Sequence, residues 1–556
     1  MCMLAQWSMA QAPKWAEKAR RAVFSVVTYD KDNKILNTGN GFFVTEDGVA
    51  ISDYTLFKGA HSAVVMTADG EKMSVAAIMG ANDMYDVVKF RVDITSKKVS
   101  ALPIVSTPPA IGATAWLLPY STQKVRSLKN GKISAADKVA EYSYYTISMP
   151  LKDKMVSCPL MTDEGEVFGL TQKAMGQDTA TICYALDARF AVNQEITAFS
   201  YNDITLQQIG IKKALPNTED QALVFLYMAS SQLNADKYAM LLDDFIEQFP
   251  QSADGYMRRA TNQLFLSKDE NSIKKVEADF EKALEVSLKK DEVYFNRAKM
   301  IYAYFIETVE NPYESWNLDA ALADIKAAIA IQRLPVYVQL EGDIYYLKQD
   351  FTSALACYEE IDKSNIRSAA TLFTTAKTKE MMQAPIEEVL ALMDSCVAQF
   401  NEPYTSEAAP YLLERARVKV NANQARMAIF DYDACFKALN GIVNDNFYYL
   451  RSQACLQARQ YQRALDDLSK AIEINPNELT YYAELSVVNM RVGRNEEAIK
   501  VLQSALAVDA NYAEVYRLMG IAYIQMKKNK DACVNFNKAK TLGDPNVDAL
   551  IEKYCK

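Results

Sequence analysis

Few residues in this chain are equipped for covalent chemistry. Among 556 residues there is one histidine, His61. A mechanism that needs an imidazole to take a proton from a hydroxyl or thiol must use it. Cysteines stand at 2, 158, 183, 357, 396, 435, 455, 533 and 555, and no two make a CxxC or Cys/His ligand pattern. Neither a metal nor a cofactor is therefore expected. Asp86 in DMYDVVKFRVD (83–93), and Ser157 and Cys158 ahead of Pro159 in MVSCPLMTDEGEVFGLTQ (155–172), supply the other parts of a nucleophilic site. Those parts are a hydroxyl or thiol and a carboxylate that orients the imidazole.

The elements that must position these residues are short strands. AVFSVVTYD, ILNTGNGFFVTEDGVAISDY, AVVMTADGEKMSVAAIMG and DVVKFRVD are alternating or fully apolar runs split by turns, with a hairpin signal at Asp69-Gly70. A second set runs from about 111 to 190: GATAWLLPY, KVRSLKNGKISAA, EYSYYTISMPL, CPLMTDEGEVFGLTQ and ATICYAL. Two sets of about six strands over 15–200 predict two β-barrels. Tyr142, Tyr144 and Tyr145 in the second set read as core and cross-strand packing.

The order of these segments resembles the trypsin-like serine proteases of the HtrA type. GNGFFVTEDGVAISDYTLFKGA (39–60) is similar to the family's strand, turn and histidine segment. DMYDVVKFRVD is similar to its aspartate segment, ALPIVSTPPAIGATAWLLPY (101–120) to the crossing between barrels, and 155–172 to the nucleophile loop. ATICYALDARFAV (180–192) is similar to the closing strand. The resemblance implies an N-terminal all-β double barrel with altered chemistry. Asp86 fills the aspartate place, but Thr55 falls on the histidine place and Val156 on the nucleophile place. Lys154, Met155, Val156, Ser157 and Cys158 stand where the family has Gly-Asn-Ser-Gly-Gly, the glycines that let backbone N–H groups form an oxyanion hole. A threonine cannot act as a general base near neutral pH, so a degenerate triad, a pseudoprotease, is expected. The alternative is a register one residue later, with Ser157 or Cys158 as nucleophile and His61 as base. The resemblance also places Cys158 near Cys183, as a disulfide or as two buried thiols.

From about 219 the strand signal ends and amphipathic helices alternate with short turns. In 444–545 the pattern repeats every 34 residues. Ala464, Ala498 and Ala532 stand at the helix-turn-helix turn, with Leu468, Leu502 and Phe536 four residues on and Ala471, Ala505 and Ala539 three further. Ser452, Ser486 and Gly520 mark helix crossings, and Pro476 and Pro545 close units. This period and order resemble the tetratricopeptide repeat (TPR), whose helix pairs bury their apolar faces only by stacking. About nine pairs are expected over 219–556, ending in a capping helix at 542–556. Residues 201–218 read as a linker, with Thr218 as an N-cap. Asn296, Arg297, Tyr448, Arg451, Tyr482, Glu484 and Arg517 fall on first helices, which line the inner face of such a solenoid. Tyr448, Arg451, Tyr482 and Arg517 are the candidate peptide-binding strip, with solvated or packed helix faces as the plain alternative.

The totals exclude several classes. A net charge of −9 without a Lys/Arg stripe argues against nucleic acid. No run of 18 apolar residues exists, so no integral membrane segment is expected. MCMLAQWSMAQAPKW, with Ala10-Gln11-Ala12, reads as the tail of a secretory leader over 1–14 and an exported, periplasmic chain; a cytoplasmic chain with a frayed terminus is the alternative. The functions that follow are a non-catalytic scaffold for protein or peptide partners, an active endopeptidase served by its repeats, or a chaperone or assembly factor for exported proteins.

Overall fold

The computed structural model describes residues 10–94, 98–173, 181–308 and 313–555. These form two compact units, 1–288 and 289–556. Most of the segment read as a leader lies outside the described residues. Its last part, β1 (Ala10–Gln11), pairs with Leu128 and Ser127, and helix α1 (Ala16–Ala19) follows.

The first barrel is built from β2 (Val23–Tyr29), β3 (Ile35–Phe43), β4 (Val49–Ser52), β5 (Ser62–Thr67), β6 (Lys72–Asn82) and β7 (Val87–Val92), closed in the order β2-β3-β4-β7-β6-β5. Helix α2 (Tyr54–Phe57) interrupts the passage from β4 to β5. Gly70, in the left-handed region at φ 86°, turns the β5–β6 hairpin. Phe24, Phe43, Phe57 and Phe90 pack inside, with ring centroids 4.7 to 6.2 Å apart. The second barrel is β8 (Thr114–Leu117), β9 (Ser127–Val139), β10 (Tyr142–Ile147), β11 (Pro159–Met161), β12 (Val167–Gln172) and β13 (Cys183–Asp187), closed by pairing of β8 with both β9 and β11. Tyr145 meets Phe168 edge-on at its centre, and Tyr144 stacks on Tyr184. β4 is buried at all four positions. Its Ala50 faces the first barrel's core, while Ile51 joins Leu118, Met161 and Leu170 in the apolar layer shared by the two barrels.

Residues 201–218, read as a linker, form a packed segment. After α3 (Ala188–Val192), the chain passes through α4 (Ile204–Gln207) and along the edge of β6. There Ile78 N–H donates to Lys212 O and Ala214 N–H to Ile78 O, each at 2.8 Å. Ile209, Ile211 and Leu215 are buried with Phe24, Phe90, Phe225 and Leu242 in one core. These apolar residues outweigh the polar ones between them once a sheet edge lies alongside.

Helices come next in pairs. α5 (Glu219–Ser230), α6 (Ala235–Gln248), α7 (Ala253–Leu266) and α8 (Glu270–Val286) complete the first unit. Thr218 occupies the N-cap of α5 without a side-chain cap bond. The second unit holds α9 (Lys290–Glu307), α10 (Leu318–Ile331), α11 (Pro335–Leu347), α12 (Phe351–Ile361), α13 (Ala369–Met381), α14 (Ile386–Val397), α15 (Ala409–Asn421) and α16 (Ala425–Ala438). It continues through α17 (Asp445–Gln457), α18 (Tyr461–Ile474), α19 (Leu479–Arg491), α20 (Asn495–Val508), α21 (Ala513–Gln525), α22 (Asn529–Thr541) and α23 (Asp548–Tyr554). Among the described residues this makes nine pairs and a terminal helix. Ala464, Ala498 and Ala532 sit one turn inside the second helices, and they, Leu468, Leu502 and Phe536 are fully buried. Gly520 is small for a reason: a Cβ there would lie 2.3 Å from Phe536 Cε1.

Two readings stood open for Cys158 and Cys183, a disulfide or two buried thiols. Cys158 and Cys183 are unbonded and buried in the second barrel's core, which seats them as small apolar groups. A disulfide joins Cys533 to Cys555. Helix α23 has no fully buried residue; Leu550, Ile551 and Tyr554 pack part-buried against Phe536 and Val547, and the bond ties the end of the helix to α22.

Candidate functional site

A cleft of about 690 Å³ in the first unit gathers residues from β3, the β4–α2 junction, the β6–β7 turn and the loop before β11. Thr55, Asp86 and Val156, which the sequence places at the three triad positions, all line it. Their contacts differ from those of a triad. Asp86, at φ 47° in its turn, accepts a hydrogen bond at 2.7 Å from the backbone N–H of Thr55. Its carboxylate thus binds the start of α2, where an orienting partner for an imidazole would be needed. The Val156 side chain offers no hydrogen-bonding group. Asn40 Nδ2 donates to the carbonyls of Lys154 at 3.0 Å and Val156 at 2.9 Å, so these peptides aim oxygens at the first barrel.

The polar pair that does form joins Ser157 to Asp53. Ser157 Oγ donates to Asp53 Oδ1 at 2.6 Å. Ser157 is 1% exposed, its N–H donates to Thr171 O at 2.8 Å, and its φ is 59°. That left-handed backbone suits the glycine the resemblance puts there, and serine tolerates it because the surrounding bonds fix it. Thr171 Oγ1 ties the same loop by donating to Met155 O at 2.7 Å and accepting from Cys158 N–H at 3.0 Å. Burial drives the Asp53 carboxyl up to about 6, and the negative charge of Asp86 adds to this against the opposing Ser157 bond. Burial also pushes the Cys158 thiol up to about 12, which leaves no thiolate near neutral pH.

Asp53 escaped the sequence reading because Ser-Asp before a helix looks like a cap. It does hold the N-cap position of α2, but its side chain makes no cap bond; Asp86 takes the Thr55 N–H instead. His61 is not brought to this cleft. It stands exposed at the head of β5, its ring against Gly210 and Nδ1 3.3 Å from Gly59 O. The alternative pair of His61 with Ser157 or Cys158 therefore has no geometry behind it.

The strip of Tyr448, Arg451, Tyr482 and Arg517 is corrected as well. Arg451 is 9% exposed. Its Nε and Nη2 bind Asp467 at 2.9 and 2.6 Å, Nη1 reaches Asp433 at 3.2 Å, and the rings of Phe436, Phe447 and Tyr448 surround the guanidinium. Arg517 binds Asp544 at 2.8 Å and Glu514 at 2.6 Å. Tyr482 is buried, with its hydroxyl donating to Pro476 O at 3.0 Å. The two guanidinium groups and the Tyr482 hydroxyl are thus spent inside the solenoid, and Tyr448 is half-buried with its ring beside Arg451. Arg451–Asp467 is one of a series: Arg259–Asp279, Arg297–Asp324 and Arg415–Asp431 make the same two-pronged contact from first to second helix. Each aspartate directly precedes the large buried residue of its second helix (Phe280, Ile325, Tyr432, Leu468). That recurrent Asp was the available signal.

Comparison with known proteins agrees with both architectures. Residues 39–170 match the trypsin-like peptidase domain, and 446–478 and 490–527 match tetratricopeptide repeats. The chain joins these two types. It is 22% identical over 235 residues to the mitochondrial import receptor subunit TOM70 of Homo sapiens, covering 42% of this chain and 37% of the relative. It is 25% identical over 95 residues to small glutamine-rich tetratricopeptide repeat-containing protein 2 of Mycosarcoma maydis, 17% of this chain and 27% of the relative. To DnaJ homolog subfamily C member 7 of Mus musculus it is 26% identical over 122 residues, 22% of this chain and 23% of the relative. The chain thus spans well under half of each of these relatives.

Proposed function

We propose that this chain is a non-catalytic scaffold: a trypsin-like barrel without peptidase chemistry, joined to a TPR array that binds protein or peptide partners in an exported compartment. One observation carries the first part. The cleft that gathers Thr55, Asp86 and Val156 has no imidazole in its lining, and the serine next to Val156, Ser157, is buried with its hydroxyl donated to Asp53. The TPR repeats support protein partners, and a similar protein is named as an import receptor subunit. The Cys533–Cys555 bond supports export, because such bonds persist in oxidising compartments. Among the described residues no helix is long and apolar enough to cross a membrane.

A second reading, an active endopeptidase, draws on one feature: a carboxyl with a pKa of about 6 touches a serine hydroxyl. Two assays separate the readings. The intact protein should neither hydrolyse casein nor take up a fluorophosphonate probe. Labelling at Ser157 that Asp53→Asn abolishes would establish the peptidase reading instead.

A further inference from the structure

A second cavity, of about 680 Å³, lies within the first unit between the segment along β6 and helices α5 and α6. Leu206, Ile211, Phe225, Leu233 and Leu241 give it an apolar side. Lys212, Lys213 and Lys237 stand on the other, with Asp244 as the acidic residue of the lining. That acid is already used, since Lys212 Nζ binds Asp244 Oδ2 at 2.6 Å. Lys213 is half-buried, and its Nζ donates to the carbonyl of Ile209. Among the described residues no carboxylate pairs with it. Burial alone lowers its pKa to about 8.

An ammonium withdrawn from water without a counter-ion is costly, and proteins normally pair it or expose it. Here the ammonium is half-buried and donates to a backbone carbonyl, and no carboxylate among the described residues meets it, although Lys213 has a long, flexible stem. The backbone explains why: Lys212 O and Ala214 N–H bond to Ile78 on β6, so the main chain on both sides of Lys213 is fixed along the strand. The result is a fixed cation at one end of an apolar space whose size is that of small-molecule sites.

We propose that this cavity binds an amphipathic monoanion of the fatty-acid class, its carboxylate on Lys213 and its aliphatic chain along Leu206, Phe225, Leu233 and Leu241. The carboxylate supplies the missing counter-ion, and the chain removes apolar wall from water. This site shares no residue with the inter-barrel cleft and does not depend on whether that cleft is catalytic.

The test uses the full chain and 11-(dansylamino)undecanoic acid, whose fluorescence rises in an apolar site. Saturable binding at one probe per chain is expected, with displacement by decanoate and not by decanol. Lys213→Met should weaken binding about tenfold or more, as loss of one charged contact does, while Lys213→Arg retains it within about threefold. Leu241→Trp, which fills the tail space, should abolish it, and Lys124→Met, on the second barrel, should leave it unchanged. Absence of saturable binding overturns the proposal. Equal displacement by decanol, or Lys213→Met binding within about twofold of the parent, overturns the assigned role of the cation. Were Lys213→Met to fail to fold, the Arg and Trp variants would still decide between these outcomes.

Discussion

Asp53 sets the pH response of the inter-barrel cleft. Its folded pKa of about 6 lies above the ordinary 3.8 because burial disfavours the charged form. The sign follows directly. Its favourable contribution is complete below pH 3.8, falls as pH rises towards 6, and is gone above that. The fall amounts to at most about 3 kcal/mol, since each tenfold change in proton affinity is worth about 1.4 kcal/mol. Asp53→Asn should therefore gain stability relative to the parent at pH 7.5 and not at pH 4. Urea unfolding of both proteins at the two pH values measures the difference, and an equal difference at both would contradict the raised pKa. Rebuilding the triad is predicted to fail. Thr55→His with Val156→Ser supplies a base and a hydroxyl, but Asn40 still holds the Lys154 and Val156 carbonyls. No donors then await a developing oxyanion, a loss of about 10²–10³-fold for even one such group. Casein hydrolysis by the double variant should stay at background.

The helix pairs of the array are cross-braced by Arg–Asp contacts. Arg451 and Asp467 are both buried and bonded at two points. Breaking such a pair strands a charge, at a cost of about 3–5 kcal/mol, whereas replacing both partners by apolar residues is often neutral. Arg451→Ala should thus lower the melting temperature of the helical array strongly, and Arg451→Met with Asp467→Leu should recover most of the loss. A double variant no better than the single one would show that the apolar pocket of Phe436 and Phe447, and not the charge pair, carries the energy. Gly520→Ala is a smaller test of the same packing. Its methyl would meet the Phe536 ring at 2.3 Å, and overpacking of this kind costs about 1–3 kcal/mol. Circular dichroism melts read both effects.

At the scale of the whole molecule, the first helices belong with the barrels. Phe225, Leu226, Leu242 and Phe245 are buried in the same core as Phe24 and Phe90. A fragment of 13–200 lacks that cover and should aggregate, while 13–288 and 289–556 should each melt cooperatively. Matching solubility of 13–200 and 13–288 would refute the shared core. Reduction of Cys533–Cys555 should selectively increase hydrogen exchange in α22 and α23, because the cap helix packs only through part-buried side chains.

Much of this architecture is local and so was legible in the chain. Alternating runs and turn glycines define strands, and a 34-residue recurrence of Ala464, Leu468 and Ala471 defines stacked helix pairs, because each periodicity records which side of one element is buried. The gathering of Thr55, Asp86 and Val156 was implied by the resemblance of the segments to trypsin-like proteases. Tertiary structure decided what pairing requires. Asp53 meets Ser157 across 104 positions of sequence, Arg451 finds Asp467 and Asp433 in place of a ligand, Cys533 finds Cys555, and Lys213 finds no acid among the described residues. A side chain's type states which contacts it can make. Which contact it makes, and whether it is left free for a partner, depends on what the fold brings within about 3 Å of it.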